Sequence, residues 1–303
     1  MNFSSLFEMQ GMLFSIMILG LILRKKGVIR EQGTDLLTDL VIYVTLPCSI
    51  IRSFEIEFTK QILANCMVIL LVAAGIQVGS YILSFILYPG LTEQRKKVLQ
   101  YATICSNAGI LGNPIAESIF GPMGLLYASV YLIPQRIFMW SAGLTYFTAA
   151  PDKKTLVKKV ATHPCILAVV VGMVMMVTGR RLPAFLEHTV KTLASANTAL
   201  SMLFIGSILA GVSFSSMWNK LTMYYSAIRL ALIPALLYLC CRALGLDTLV
   251  TGVAVVLAGM PAASVTAILA SKYHCDSVFA AQGVVSSTLL SMVTVPVWCI
   301  ILG

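Results

Sequence analysis

Ser106-Asn107-Ala108-Gly109-Ile110-Leu111-Gly112-Asn113-Pro114 lies in the middle of an apolar segment that otherwise has the length and composition of a membrane-spanning helix. Two glycines, two asparagines and a proline interrupt it where lipid offers no replacement hydrogen bonds. Irregular backbone at that depth persists only when it is buried in protein or lines a wet cavity. A helix broken near the midplane is how secondary transporters build binding sites.

The rest of the chain agrees with a membrane setting. It is 58% hydrophobic and 11% charged, whereas a soluble domain carries about 25% charged residues. The chain therefore reads as an all-α polytopic membrane protein surrounded by lipid bilayer. Its eight cysteines form no CxxC pair and no His/Cys ligand spacing. Cys48, Cys66, Cys105, Cys165, Cys240 and Cys299 fall in apolar runs and read as small buried hydrophobes, so no metal and no cofactor is expected. Histidine and aspartate are nearly absent from the apolar segments, and no HExxH or paired-aspartate motif occurs, which argues against an intramembrane enzyme. The net charge of +9 comes from lysines and arginines in short loops, the pattern of a cytoplasmic membrane face, and implies no nucleic-acid partner.

Ten spans are expected, at about 6–23, 34–54, 62–88, 98–120, 123–148, 162–178, 188–211, 221–244, 249–271 and 277–302. The first follows only Glu8 and is followed by Arg24-Lys25-Lys26, the reverse of a signal peptide. Counting loop charges on this layout puts thirteen lysines and arginines on one side and six on the other. The richer side is assigned to the cytoplasm, so both termini are expected outside a multi-pass cell (plasma) membrane protein. The polar connection 151–161 is expected to be a cytoplasmic linker between residues 1–150 and 162–303. Each half holds five spans, and an odd number requires opposite orientations, the geometry of an inverted repeat. Ala258-Gly259-Met260-Pro261 in span nine corresponds to the break in span four, and Pro47 in span two to Asn197-Thr198-Ala199 in span seven.

Several polar residues inside these spans are candidates for chemistry. Asn113 before Pro114 reads as the N-cap and first residue of a new half-helix, whose positive end would attract an anion. Glu117, one turn on, is a candidate for proton coupling, and Asn107, Gly109 and Gly112 belong to the same break. Gly259, Pro261, Ser264 and Thr266 form the second candidate break. Arg136, next to Gln135, is centred in span five, and Arg229 lies about 13 Å into span eight at 1.5 Å per residue. A cation at that depth needs a partner. Two cations with few buried carboxylates imply an anionic ligand; the structural alternative is a pair with Glu117, and Arg229 has the additional option of snorkelling to its nearer interface. Gln135, Arg229, Asn197 and Gln282 are candidates for coupling or gating, with helix–helix adhesion as the alternative. Trp140, Trp218, Trp298, Tyr224 and Tyr225 read mostly as packing or interfacial belt residues.

At these residues the chain resembles the auxin efflux carrier family. The matching text is Asn107-xxxx-Gly112-x-Pro114, Phe120-Gly121-Pro122-Met123-Gly124-Leu125-Leu126-Tyr127-Ala128, Trp140-Ser141-Ala142-Gly143, and Ala258-Gly259-Met260-Pro261 leading to Ala270-Ser271-Lys272-Tyr273. It ends on Ser286-Ser287-Thr288-Leu289-Leu290-Ser291-Met292-Val293-Thr294-Val295-Pro296. The short central loop is similar to that of bacterial organic-acid permeases rather than of many plant members. The resemblance implies ten transmembrane helices in two inverted five-helix repeats, a scaffold portion and a transport portion. It implies broken, crossing helices four and nine, with Asn107 and Pro114 next to substrate, and elevator-type alternating access. Two positions depart from the family: Thr266 stands where plant members have a further proline, and Ala199 lies where many bacterial relatives have one near it.

Together these readings predict a secondary transporter of small organic anions, carboxylates such as dicarboxylates or auxin-like acids. The half-helix ends and Arg136 would attract the carboxylate, and Asn107, Asn113, Ser264 and Thr266 would orient it. Coupling to H+, to Na+ or to the membrane potential alone each fits, as does a homodimer. The rival reading is a non-transporting sensor or receptor on a carrier scaffold; such a protein normally adds a signalling domain.

Overall fold

The computed structural model describes residues 3–55, 59–140, 142–147, 154–155, 158, 161–210 and 219–302. Most of the connection 151–161, including Lys153 and Lys159, lies outside the described residues, as do Ser141 and Trp218. The described chain is nearly all helix. In order, the helices are α1 (Phe3–Lys25), α2 (Glu31–Leu40), α3 (Leu46–Ser53), α4 (Lys60–Ile86), α5 (Glu93–Ile104), α6 (Asn113–Trp140) and α7 (Pro164–Thr178). There follow α8 (Ala184–Ser195), α9 (Asn197–Leu209), α10 (Lys220–Ala227), α11 (Ile233–Ala243), α12 (Thr248–Ala258), α13 (Val265–Lys272) and α14 (Ser277–Leu302). Among the described residues six helical stretches, against the ten spans expected, are long and apolar enough to cross a membrane: Gln32–Ser53, Lys60–Ile86, Ala108–Met139, Ala184–Leu209, Lys220–Ala243 and Ser277–Leu302. Pro164–Thr178 and Thr248–Ala258 are apolar but shorter.

Prolines dictate the local geometry of three of these stretches. One turn of π-helix spans Val41–Thr45, another Ala108–Gly112 and a third Ile228–Leu232. Each is followed, after one intervening residue, by a proline: Pro47, Pro114 and Pro234. Proline has no N–H to give and its ring collides with the carbonyl four residues back. A wider turn relieves both problems by moving the bonding partner to the fifth residue. Leu46 N–H thus bonds to Val41 O, and Ile233 N–H to Ile228 O. The carbonyl that Pro234 leaves free, on Leu230, accepts instead from the Trp298 indole N–H at 2.8 Å. Trp298 is therefore a hydrogen-bonding residue of the interior rather than a belt residue. Spans four and five, expected to part between 120 and 123, meet in α6 at Gly121, whose φ of 66° and ψ of −160° bend the chain. Only glycine adopts that conformation readily.

The chain divides into two compact units that interleave along the sequence. The first comprises Met1–Met67, Ile110–Val130 and Ala161–Gly211; the second comprises Val68–Gly109, Tyr131–Val160 and Val212–Gly303. Each draws on residues from both sides of the 151–161 connection.

In the first unit α1 packs on α9 at backbone distance. A Cβ on Gly206 would fall on the Met17 carbonyl oxygen, and one on Gly20 would fall on that of Leu203. Small residues at such crossings let two helices gain van der Waals contact that lipid cannot match. Gly172 similarly makes room for the Phe54 ring. In the second unit, Tyr88, Val98, Leu99, Tyr225, Ala262 and Phe279 form one buried cluster. Arg95 fixes its edge: Nε donates to Asp276 Oδ2 at 2.9 Å, and the guanidinium lies 5.1 Å above the Phe279 ring. Asp276 Oδ1 in turn accepts from Phe279 N–H at 2.9 Å, capping α14.

Two predictions follow from these contacts. Gly206→Ala forces the backbones of α1 and α9 apart; overpacking of this kind costs about 1–3 kcal/mol and should appear as a lower melting temperature in detergent, whereas Gly11→Ala, which meets nothing, should leave it unchanged. Asp276 is held below the ordinary carboxylate range: burial opposes this, and the bonds from Phe279 N–H and Arg95 outweigh burial. A depressed carboxylate stabilises the fold above its unfolded pKa and loses that contribution as pH falls through the folded value. The difference in melting temperature between wild type and Asp276→Asn should therefore shrink on acidification, read as two melts at neutral and acid pH.

Candidate functional site

The break in the fourth apolar segment lies upstream of its glycines. Helix α5 ends at Ile104, and Cys105 takes extended backbone with φ −105° and ψ 107°. Ser106 then pairs with Ala262 in an isolated antiparallel bridge. Asn107 N–H donates to Pro261 O at 2.8 Å, and Ala263 N–H to Cys105 O at 3.1 Å. The partner strand is the non-helical stretch 259–264 between α12 and α13, where Gly259 and Pro261 were expected to break the ninth segment. Two interrupted helices thus pair through their breaks, all within the second unit.

Residues expected to break the fourth segment instead continue a helix. Gly109 and Gly112 lie in the π-turn Ala108–Gly112, which runs directly into α6 at Asn113-Pro114. Asn113 is therefore not an N-cap. Its side chain is fully buried, and neither Oδ1 nor Nδ2 has a partner. The reason is the π-turn, which lets Pro114 sit inside a continuous helical path, so no new helix has to start there.

Several backbone groups at the pairing are met by side chains. Gln135 Nε2 donates to Ser106 O at 2.7 Å, and Ser106 Oγ donates to Gln135 Oε1 at 3.0 Å. Ala262 N–H donates to Ser287 Oγ at 3.2 Å. Tyr225 Oη donates to Ala102 O at 3.0 Å. Arg229 bridges both broken helices: Nε donates to Met260 O and Nη1 to Thr103 O, each at 3.0 Å. Thr103 O lies in the last turn of α5, where carbonyls lack helical partners, and Met260 O two residues beyond the end of α12; the dipoles of both helix ends are negative there. Arg229 is 3% exposed, so it is anchored inside rather than snorkelling to an interface. Ser287, Tyr225 and the Cys105-Ser106 pair were not singled out from sequence as site residues.

Arg136 has the opposite environment. It is 6% exposed, makes no hydrogen bond or ion pair among the described residues, and its Nη1 is buried without an acceptor. Its Nη2 lies 3.9 Å from where a Cβ on Gly109 would stand. It therefore sits against the first turn after the break, the end of a half-helix that carries positive dipole charge. Asn107 is 6% exposed and its side chain makes no hydrogen bond among the described residues. Thr266 is buried with Oγ1 unpartnered, and Ser264 is half-buried. Gly259 is packed near Trp298 with ordinary dihedrals.

The remaining candidates lie elsewhere. Gln282 accepts from Asn219 Nδ2 at 3.4 Å, and Asn219 caps α10, so Gln282 belongs to the start of that helix. Gly112, Asn113, Pro114, Glu117 and Asn197 belong to the first unit. Asn197 Oδ1 accepts from Thr45 Oγ1 at 3.1 Å, joining α9 to the π-turn before Pro47. Glu117 is half-buried and its nearest charge influence is Arg52; it forms no ion pair with Arg136 or Arg229 among the described residues.

Arg229→Met would orphan the Thr103 and Met260 carbonyls. Leaving a buried acceptor unmade costs about 1–3 kcal/mol each. The variant should melt well below wild type, and Arg229→Lys, which cannot fork to two carbonyls, should fall between them.

The model of the family described as membrane transport protein matches residues 7–299. The chain is 23% identical over 284 residues to an uncharacterized transporter of Methanocaldococcus jannaschii, covering 90% of this chain and 91% of that protein. It is 26% identical to an uncharacterized transporter of Methanothermobacter thermautotrophicus, covering 95% of each. It is 24% identical to the uncharacterized transporter YfdV of Escherichia coli, covering 93% of each. The chain belongs to the membrane transport protein family, the family of the auxin efflux carriers.

Proposed function

We propose that this transporter is a secondary carrier of small organic anions, carboxylates above all, and that the anion binds in the second unit beside Arg136. The carrying observation is the buried, unpaired guanidinium of Arg136 against the first turn after the helix break. A buried charge without a partner is strongly unfavourable, and a half-helix N-terminus of the same sign adds to the demand for an anion. Arg229 makes no such demand, because two helix C-termini supply its acceptors. Asn107, Gly109, Ser264 and Thr266 would orient the carboxylate, and Gln135 would hold Ser106 in place.

The two paired breaks and the division into two interleaved units support elevator-type alternating access by two inverted repeats, 1–150 and 162–303, joined by the cytoplasmic linker. In that mechanism one portion of the chain carries the substrate as a body, which requires the binding residues to be bonded to one another independently of the rest. Glu117 and Asn197, in the first unit, are then candidates for coupling rather than for substrate contact, with H+ or Na+ as the coupling ion. Both termini would be extracytoplasmic, and a homodimer fits this reading.

The test is ligand-dependent melting of the detergent-purified protein against a panel of carboxylates, neutral analogues and amines. A ligand bound only by the folded state stabilises it by about 2.7 kcal/mol at a hundred times its Kd. Carboxylates should raise the melting temperature of wild type, and Arg136→Ala should lose that rise while its ligand-free melt stays close to or above wild type. Stabilisation by amines or neutral compounds alone would overturn the reading.

A further inference from the structure

A cavity of about 380 Å3 opens in the second unit at the junction of α4, α5 and the short 3₁₀ turn Leu144–Tyr146. Its lining includes Phe85, Glu93, Lys96, Lys97, Gln100 and Tyr146, two lysines against one carboxylate. Gln100 is 4% exposed and donates through Nε2 to Ser84 O at 3.3 Å. Ser84 Oγ and Tyr146 Oη share a hydrogen bond of 2.9 Å, so the back wall is fixed. Of the nearby charges, Arg95 is occupied by Asp276, and Glu93 reaches Lys96 only at 3.9 Å with its side chain mostly exposed. The cavity therefore keeps a net positive charge carried by Lys96 and Lys97.

The mouth continues onto an apolar surface. Leu71, Val78, Ile82 and Phe85 on α4 are each about half exposed or more, and their spacing puts them on one helical stripe that ends at the cavity. A basic pocket at the end of a lipid-facing stripe has the two features that recognise an amphiphile with an anionic head. A soluble anion would use the lysines but have no use for the stripe.

We propose that this cavity holds the phosphate-bearing headgroup of an anionic phospholipid, with Lys96 and Lys97 on the phosphate, Gln100 behind it, and an acyl chain along the α4 stripe. Arg136 is not among the residues lining this cavity, and the proposal does not depend on what binds beside Arg136. Purified wild type and the double variant Lys96→Gln/Lys97→Gln are titrated in detergent with phosphatidylglycerol, with phosphatidylcholine and with inorganic phosphate, reading the melting temperature. Phosphatidylglycerol should stabilise wild type, and the double variant should need on the order of tenfold more of it for the same shift. Lys96→Arg/Lys97→Arg should keep the response, which separates loss of charge from loss of fold. An equal phosphatidylglycerol response in wild type and the Gln variant would overturn the proposal. So would an equal response of wild type to phosphatidylcholine, or full stabilisation by inorganic phosphate, which would mark a soluble-anion site.

Discussion

The structure of the second unit depends on the exchange of backbone hydrogen bonds between Cys105–Asn107 and Pro261–Ala263. In an apolar environment each unpaired N–H or C=O costs several kcal/mol, so a helix interrupted on its own is not stable there. Two helices interrupted side by side are, because each supplies the acceptors and donors that the other lacks. What the pairing leaves over falls to side chains: Gln135 on Ser106 O, Ser287 on Ala262 N–H, and Arg229 on Thr103 O and Met260 O. The result is polar backbone held open in a bonded frame, and among the described residues the side chains of Arg136, Asn107 and Thr266 are left with unused hydrogen-bonding capacity.

Proline governs the same balance in a milder form. At Pro47, Pro114 and Pro234 the helix is widened rather than broken, and the local deficit is made good within one turn or by one distant group, as Trp298 does for Leu230 O. A proline in an apolar helix is therefore ambiguous. Beside it the chain either opens into extended structure, as around Pro261, or absorbs the missing donor through an i to i+5 bond. Which occurs depends on whether a second chain segment stands ready to pair, and that is a tertiary property.

This explains what could be read from the residues and what could not. The membrane setting, the all-helical character and the special character of residues 106–114 and 258–264 were legible, because they follow from composition and from the positions of Gly, Asn and Pro. The position of the first opening was not. Cys105 and Ser106 carry no breaker signal, yet they are the extended residues, while the conspicuous Gly109, Gly112 and Pro114 are helical. Asn113 looked like a cap for the same reason and caps nothing. Ser287 and Tyr225 could not be assigned because their partners are backbone atoms distant in sequence, 25 and 123 residues away.

Arg136 and Arg229 show the limit most clearly. Both are arginines near the middle of an apolar segment, each close to a proline, and sequence assigns them the same requirement for a partner. Their surroundings give opposite answers. The guanidinium of Arg229 meets two helix C-termini, whose carbonyls and dipoles balance its charge, so removing it should damage folding. That of Arg136 meets the N-terminal side of a half-helix, where the dipole has its own sign, and finds no acceptor. Such an arrangement is unfavourable in the empty protein, and the proposed anion would relieve it. A residue of this kind should therefore report on ligand more strongly than on folding, whereas its counterpart should do the reverse. That contrast, and not the presence of two arginines, is the ground for proposing Arg136 rather than Arg229 as the residue that meets ligand.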